Sequence, residues 1–372
     1  MTEVAKCLRF FAGYADKPMG LSHIDQGMHM TTSREPIGVC GLITSYNYPL
    51  MLTGWKLGPS LAAGNSVLIK PAPQTPLTSL ALAELASNII PVDNLLQVLP
   101  GSVDTGRAIV ELVDKTSFTG STPGGQAIMR QAADLLQPLT LECGGKNTVI
   151  VDADADLEKA VAAIGQGAFS NTGQNCCAVS RVLAHVDIHD KLVALLQEET
   201  KQWQPYTETS PPTADASSRF YGPLIDKQQV DRVLTYIIPS RIAFQASLPA
   251  SLAHYIPPTV YLNVPDEARL SQEEIFGPVL SVLRPFASLE EAIARANDTR
   301  FGLAGGVFSG NYANAHRITS QLKAGIVWVN TYNWIPPAAP FGGTKLSGIG
   351  KDLGRDALNE FTFTKTTLHS IE

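Results

Sequence analysis

The stretch KTSFTGSTPGGQAIMRQAADLL, residues 115–136, carries the reading of the fold. Its opening, KTSFTGS (115–121), holds one charge and reads as a buried strand. Gly120 and Ser121 make a turn, and GGQAIMRQAADLL takes up a helical pattern. A strand that ends in a Gly-rich turn and re-enters as a helix is a phosphate cradle by construction. Backbone N–H groups point outward there, and the Ser121 hydroxyl adds to them. The pattern is not GxGxxG, so alone it names no ligand.

The same step repeats upstream. PIGVCGLIT (36–44), SVLIK (66–70) and NLLQVLPG (94–101) read as further buried strands, and DTGRAIVELV as a helix. Thr75 before Pro76 predicts an N-cap and a first-turn proline, with Leu77, Leu80, Ala81 and Leu85 as the buried stripe of that helix. Alternating units of this length imply right-handed crossovers, a doubly wound parallel sheet and ligands at the carboxyl ends of its strands. Beyond LTLECGGKNTVIV a second series begins with DLEKAVAAIGQGAF as helix and RVLAHVDI as strand. It continues through VLSVLRP, LEEAIARAN, LAGGVFSG and GIVWVN. Two segments break the rhythm: residues 204–220, expected as a surface excursion, and 239–258, which has no clear period. The reading is two α/β domains with a hinge near Gly144-Gly145.

Composition narrows the function. A chain of 372 residues exceeds one typical core, and 44% hydrophobic with 17% charged residues describes an ordinary globular protein. A net charge of -6 argues against a nucleic-acid or anionic-membrane surface. No apolar run reaches 18 residues, and the start MTEVAKCLRFF lacks a signal-peptide core, reading instead as a helix with Val4, Leu8 and Phe11 inward. Five cysteines without a CxxC pair predict reduced thiols and a cytoplasmic setting. Histidine spacing predicts no metal site.

Three short stretches carry candidate chemistry. NTGQNCCAVSR (171–181) presents Cys176 and Cys177 just after a turn, where backbone N–H groups favour a thiolate and an oxyanion. Adjacent side chains diverge, so at most one of the two faces a site; the alternative is a pair of small buried hydrophobes. LECGGK (141–146) ends an apolar strand on Glu142, a costly place for a carboxylate unless it works or caps the strand. SYNYP (45–49) sets Asn47 after a strand, either to donate to a substrate oxygen or to shape the turn before Pro49. VLIKPAP places Lys70 at the end of a strand, for ribose or phosphate oxygens or simply in solvent.

Together these motifs resemble the aldehyde dehydrogenase superfamily. GQNCCAVSR is similar to its catalytic-cysteine motif and LECGGK to its glutamate motif, while EEIFGPV (273–279) and PFGGTKLSGIG (340–350) resemble two further signatures. The likeness runs from the first helix to the C-terminus and is nearest to the non-acylating aldehyde and aminoaldehyde or betaine aldehyde enzymes. It implies a Rossmann-like coenzyme domain (1–17 and 37–144), an α/β catalytic domain (145–346) and a small β arm (18–36 and 362–372) that joins subunits into a homodimer or homotetramer.

The resemblance also implies roles. Cys176 attacks an aldehyde carbonyl, Asn47 and the Cys176 N–H hold the oxyanion, hydride leaves to NAD or NADP, and Glu142 activates the water that hydrolyses the thioester. Lys56 matches a proton-relay position, and Asp352 falls where many members carry the longer Glu. Lys70 meets the adenosine ribose; Thr119, Gly120, Ser121 and Gly125 surround the pyrophosphate; Glu274 binds the nicotinamide ribose with Phe276 against the ring. Tyr46, Cys177 and Phe341 line the substrate side, and Tyr46, Tyr332 and Trp334 are tunnel aromatics, either plain apolar walls or, as the alternative, stacking surfaces for a cationic aldehyde. Pro73 stands where many NAD-preferring members carry Glu, which makes NADP tolerable. Members of the family generally carry about a hundred further N-terminal residues. Two other expectations stand beside oxidation: a homologue that only binds or supports a partner, and an esterase using the cysteine and base without coenzyme.

Overall fold

The computed structural model describes residues 2–17, 20–207, 219–248, 252 and 254–371. The chain forms two compact units. The first comprises Met1–Cys143, Ile335–Gly342 and Gly348–Glu372; the second comprises Gly144–Trp334 and Gly343–Ser347. The chain passes from one to the other at Cys143–Gly144, and Ile335–Gly342 groups with the first unit although it lies inside the stretch 145–346.

The first unit is built on a six-stranded sheet. Its order is Gly348–Ile349, Leu139–Glu142, Lys115–Thr119, Val39–Ile43, Ser66–Lys70 and Leu96–Val98. Only the Gly348–Ile349 pairing is antiparallel. The first strand of this sheet in chain order, Val39–Ile43, lies centrally with Ser66–Lys70 on one side and Lys115–Thr119 on the other. The winding therefore reverses between Val39–Ile43 and Lys115–Thr119, and the turns at their carboxyl ends carry Asn47 and Gly120-Ser121. The opening helix Thr2–Ala12 buries Val4, Cys7 and Phe11. It packs closely on helix Pro49–Ala62 because Gly54 and Gly58 leave room for Val4 and Phe11; a Cβ there would come within 2.8 and 2.7 Å of them. A second core joins Cys40, Leu42, Leu57, Val67, Ile69 and Phe361.

Two local expectations change. Helix Leu77–Ile89 is capped by Pro76 rather than Thr75, because the Pro76 carbonyl already accepts the Leu80 N–H. Its apolar stripe faces outward: Leu77 is 77% and Leu85 56% exposed, and the helix's buried residue is Ser79. Phe361 ends helix Asp356–Glu360 and is buried, and the final strand begins at the next residue. That strand, Thr362–Ser370, pairs antiparallel along its length with Met28–Pro36, which also pairs with Ser22–Asp25.

The second unit holds a seven-stranded sheet in the order Phe244–Gln245, Thr259–Val264, Val279–Leu283, Val179–Ala184, Asn147–Val151, Ala304–Phe308 and Ile326–Val329. Its pairings are parallel except at Phe244–Gln245. The inner strands Asn147–Val151, Val279–Leu283 and Ala304–Phe308 are buried at every position, as a sheet covered on both faces requires. Helix Leu157–Phe169 packs Val161, Ile164 and Phe169 into a core with Val182, Leu196 and Trp203. Of the excursion expected over 204–220, residues 208–218 lie outside the described residues; within 239–258 the described part makes a 3-10 turn, Pro239–Arg241, and the short strand Phe244–Gln245. No helix among the described residues is long and apolar enough to cross a membrane.

Candidate active site

In the first unit the candidates gather at the carboxyl ends of the sheet. Asn47 and Tyr46 are half-buried in the turn between Val39–Ile43 and helix Pro49–Ala62. Ser121 caps helix Thr122–Ala133, its Oγ accepting from the Gly124 N–H at 3.2 Å, which leaves its own proton to donate. The Thr119 Oγ1 is buried with no hydrogen-bond partner, at the strand end that feeds this helix. Such an orphaned hydroxyl at the strand end that leads into a helix N-terminus fits the phosphate of a dinucleotide. Lys70 ends strand Ser66–Lys70, buried, with its Nζ on the Pro71 carbonyl at 3.3 Å, and burial lowers its pKa. Gly125 answers to packing: a Cβ there would sit 2.6 Å from the Cys143 Sγ.

Glu142 closes strand Leu139–Glu142 and is 3% exposed. The glycines of PFGGTKLSGIG make room around it. At Gly342 a Cβ would fall 2.4 Å from the Glu142 Oε1, and at Gly348 one would strike the Leu141 carbonyl. Phe341 is buried against Trp55, with ring centroids 5.1 Å apart.

Lys56 is fully buried on helix Pro49–Ala62. Its Nζ donates to the Asp352 Oδ2 at 2.8 Å and the Ser117 Oγ at 3.0 Å. The shorter Asp side chain reaches because the Phe341 and Asp352 backbones pair reciprocally, at 2.6 and 2.7 Å, and carry it inward. Removing one partner leaves a buried charge, so Asp352→Ala should cost about 3–5 kcal/mol, read as a lower denaturation midpoint.

In the second unit the cysteine loop is strongly fixed. Asn171, Thr172 and Gly173 have φ of 52°, 57° and 68°, an unusual left-handed run that includes a β-branched residue. Two exchanges hold Thr172 there: its Oγ1 donates to the Gly222 carbonyl and accepts from the Gly222 N–H, each at 2.9 Å. The Gln174 Oε1 accepts from the Ile225 N–H. A Cβ on Gly173 would lie 2.2 Å from the Gly277 carbonyl, so the cysteine motif and EEIFGPV meet at backbone distance. Cys176 is half-buried and Cys177 is 2% exposed, with their Sγ atoms 3.9 Å apart.

The paired glycines of LECGGK serve the same unit. Gly144 leaves space for the Glu274 carboxylate, Gly145 donates its N–H to the Glu274 Oε1 at 3.0 Å, and a Cβ on Gly145 would lie 2.5 Å from the Cys176 carbonyl. Burial raises the Glu274 pKa against the opposing pull of that N–H. Phe276 takes φ of 59° with its carbonyl accepting from the Gln229 amide. Neighbouring Lys146 is buried, and desolvation lowers its pKa to about 7. None of the five cysteines is in a disulfide; burial pushes the Cys7 thiol up to about 12 and the Cys40 thiol to about 11.

Sequence reasoning passed over Asn147, Thr172 and the hydrogen bond of Tyr332. The one signal was an Asn opening an otherwise apolar strand, NTVIV. Of the proposed tunnel aromatics, Trp334 is exposed, while the Tyr332 hydroxyl donates to the Cys177 carbonyl at 2.8 Å. Among the described residues no group of three or more His, Cys, Asp or Glu could hold a metal ion.

Residues 1–367 match the family model described as the aldehyde dehydrogenase family, and the chain belongs to that family. It is 40% identical to a betaine aldehyde dehydrogenase of Brucella anthropi, over 97% of this chain and 75% of that protein. It is 41% identical to aldehyde dehydrogenase 1A1 of Homo sapiens, over 98% of this chain and 74% of that one. Among solved structures, the NAD+ complex of an aldehyde dehydrogenase from Bacillus cereus superposes with a TM-score of 0.93 at 38% identity, covering 100% of this chain and 76% of that chain.

Proposed function

We propose that the chain oxidises an aldehyde to a carboxylic acid with NAD or NADP, using Cys176 as nucleophile and Glu142 as general base. The observation that carries this is the cysteine loop: a reachable thiol at Cys176, on a backbone whose left-handed run is held by Thr172, Gln174 and the glycines of the neighbouring motifs. The Cys176 thiolate adds to the aldehyde carbon, forming a C–S bond and placing negative charge on the carbonyl oxygen. Asn47 and the Cys176 N–H are assigned to that oxygen as donors. The bound nicotinamide coenzyme supplies the two-electron acceptor that turns the Cys176 adduct into a thioester. Glu142 takes a proton from water as it attacks the thioester carbonyl; the C–S bond breaks, the acid leaves and the thiolate is restored.

Thr119, Gly120, Ser121 and Lys70 would hold the adenosine and phosphate side of the coenzyme, and Glu274 and Phe276 the nicotinamide side. Lys56, held by Asp352, is assigned a proton-relay role, and Tyr46 and Phe341 the substrate side; Cys177, expected there too, is 2% exposed and turns inward. Assembly into a homodimer or homotetramer through the ribbon Ser22–Asp25, Met28–Pro36 and Thr362–Ser370 is part of this reading; its last strand is exposed at nearly every position. A cytoplasmic setting is part of this reading, supported by five cysteines with no CxxC pair in the sequence.

The test is a panel of short, aromatic and trimethylammonium aldehydes with NAD or NADP. Reduced coenzyme and carboxylic acid should appear in equal amounts. Acid released without coenzyme from an ester, and none from any aldehyde, would replace this reading with the esterase.

A further inference from the structure

Two adjacent cysteines in one loop raise the question of what makes one of them the reachable thiol. We propose that Tyr332 and Asn147 are positioning residues that make this choice, by holding the carbonyl oxygens of Cys176, Cys177 and Ala178 so that Cys176 stays accessible and Cys177 turns inward. The proposal rests on the reading of Cys176 as nucleophile.

Three consecutive peptide oxygens are each taken by a side chain from elsewhere in the second unit. The Asn147 Nδ2 donates to the Cys176 and Ala178 carbonyls, both at 2.8 Å. The Asn147 Oδ1 accepts from the Ala304 N–H at 3.1 Å, which fixes the orientation of the amide: reversed, it would set oxygen against two carbonyls. The Tyr332 hydroxyl takes the middle carbonyl, that of Cys177, at 2.8 Å. One peptide unit earlier, the one that carries the Cys176 carbonyl, the Asn175 Oδ1 accepts the Cys177 N–H at 3.1 Å.

The Tyr332 ring is held as firmly as its hydroxyl. It lies against Gly167 of helix Leu157–Phe169 and Gly306 of strand Ala304–Phe308, where a Cβ would approach it to 2.9 and 2.8 Å. Trp328 packs beside it at 4.6 Å between centroids. Burial pushes the Tyr332 phenol well above its ordinary pKa, so it remains a donor across the neutral range.

With the two Sγ atoms only 3.9 Å apart, a rotation of the Cys177 peptide would suffice to exchange which thiol is reachable. Successive side chains point in different directions, so fixing the three carbonyls fixes the assignment.

The test is alkylation of the full-length chain with iodoacetamide at pH 8, followed by peptide mass mapping. In the wild type Cys176 should label first. Tyr332→Phe keeps the ring and deletes one hydrogen bond. It should raise the ratio of Cys177 to Cys176 labelling about fivefold to tenfold, the population shift one lost hydrogen bond allows. It should lower kcat by a similar factor and leave KM for the coenzyme unchanged. Asn147→Ala, which frees two carbonyls, should raise the ratio further.

Cys7, Cys40 and Cys143 are buried in the first unit and report on unfolding in the same digest. A Tyr332→Phe chain with wild-type labelling ratio and kcat would overturn the proposal. So would labelling of those three cysteines together with Cys177, since the hydroxyl would then hold the fold rather than the loop. The ratio needs no turnover. A wild type that oxidises no aldehyde yet shows the expected shift supports the positioning and overturns only the nucleophile role.

Discussion

Cys176→Ala should abolish aldehyde oxidation, with a loss of at least about 10⁴-fold in kcat, while Cys177→Ala should lower it by less than about tenfold. The asymmetry follows from the loop. Both side chains are small, so neither substitution removes much packing, and the two differ in what their sulfur reaches. Cys176 is half-buried at the surface of a backbone with unusual torsions, while Cys177 is 2% exposed. No covalent adduct can form without the thiolate, and the Cys177 sulfur, 3.9 Å away, is kept turned inward. Steady-state rates of the two variants, with circular dichroism to confirm folding, settle the matter. Equal losses, or the reverse order, would remove Cys176 from its role.

Glu142→Gln should separate the two halves of the reaction. Gln keeps the shape of the side chain that Gly342 accommodates but cannot take a proton from water. Formation of the thioester should continue and its hydrolysis should slow by about 10²–10⁴-fold. Rapid-mixing experiments should then show one equivalent of reduced coenzyme per chain in a burst, followed by a slow steady state. Mass mapping of the stalled enzyme should find the acyl group on Cys176. A Glu142→Gln chain that loses the burst as well would mean that the carboxylate acts before the thioester forms. An unchanged steady state would mean that it has no part in hydrolysis.

The parts of this architecture that sequence discloses are those encoded locally. The strand, turn and helix of residues 115–133 follow from charge-poor β residues, a glycine turn and a serine cap, all within one short window. The glycines of the motifs were visible as letters, but their reasons lie far away in the chain. Gly125 clears the Cys143 sulfur, Gly145 clears the Cys176 carbonyl and Gly173 clears Gly277. No periodicity reports contacts of that kind. The stripe of helix Leu77–Ile89 shows the opposite failure. Amphipathic spacing identifies an apolar face but not whether anything covers it, and here Leu77 and Leu85 are exposed. Tyr332 was read as a tunnel wall because aromatics announce apolar surface; its hydroxyl, bonded to a carbonyl 155 residues earlier, leaves no mark in the sequence. Asp352 illustrates reach. A side chain shorter by one methylene still meets Lys56 at 2.8 Å, because the backbone pairing with Phe341 supplies the missing distance.

The coenzyme claim is the one on which the rest depends, and calorimetric titration of the purified chain with NAD and with NADP tests it most directly. The account predicts saturable binding of at least one of them, undiminished in Cys176→Ala and followed in the wild type by Cys176-dependent turnover of an aldehyde. A folded chain that binds neither coenzyme would contradict the account. Its motifs would then belong to a protein that no longer oxidises aldehydes.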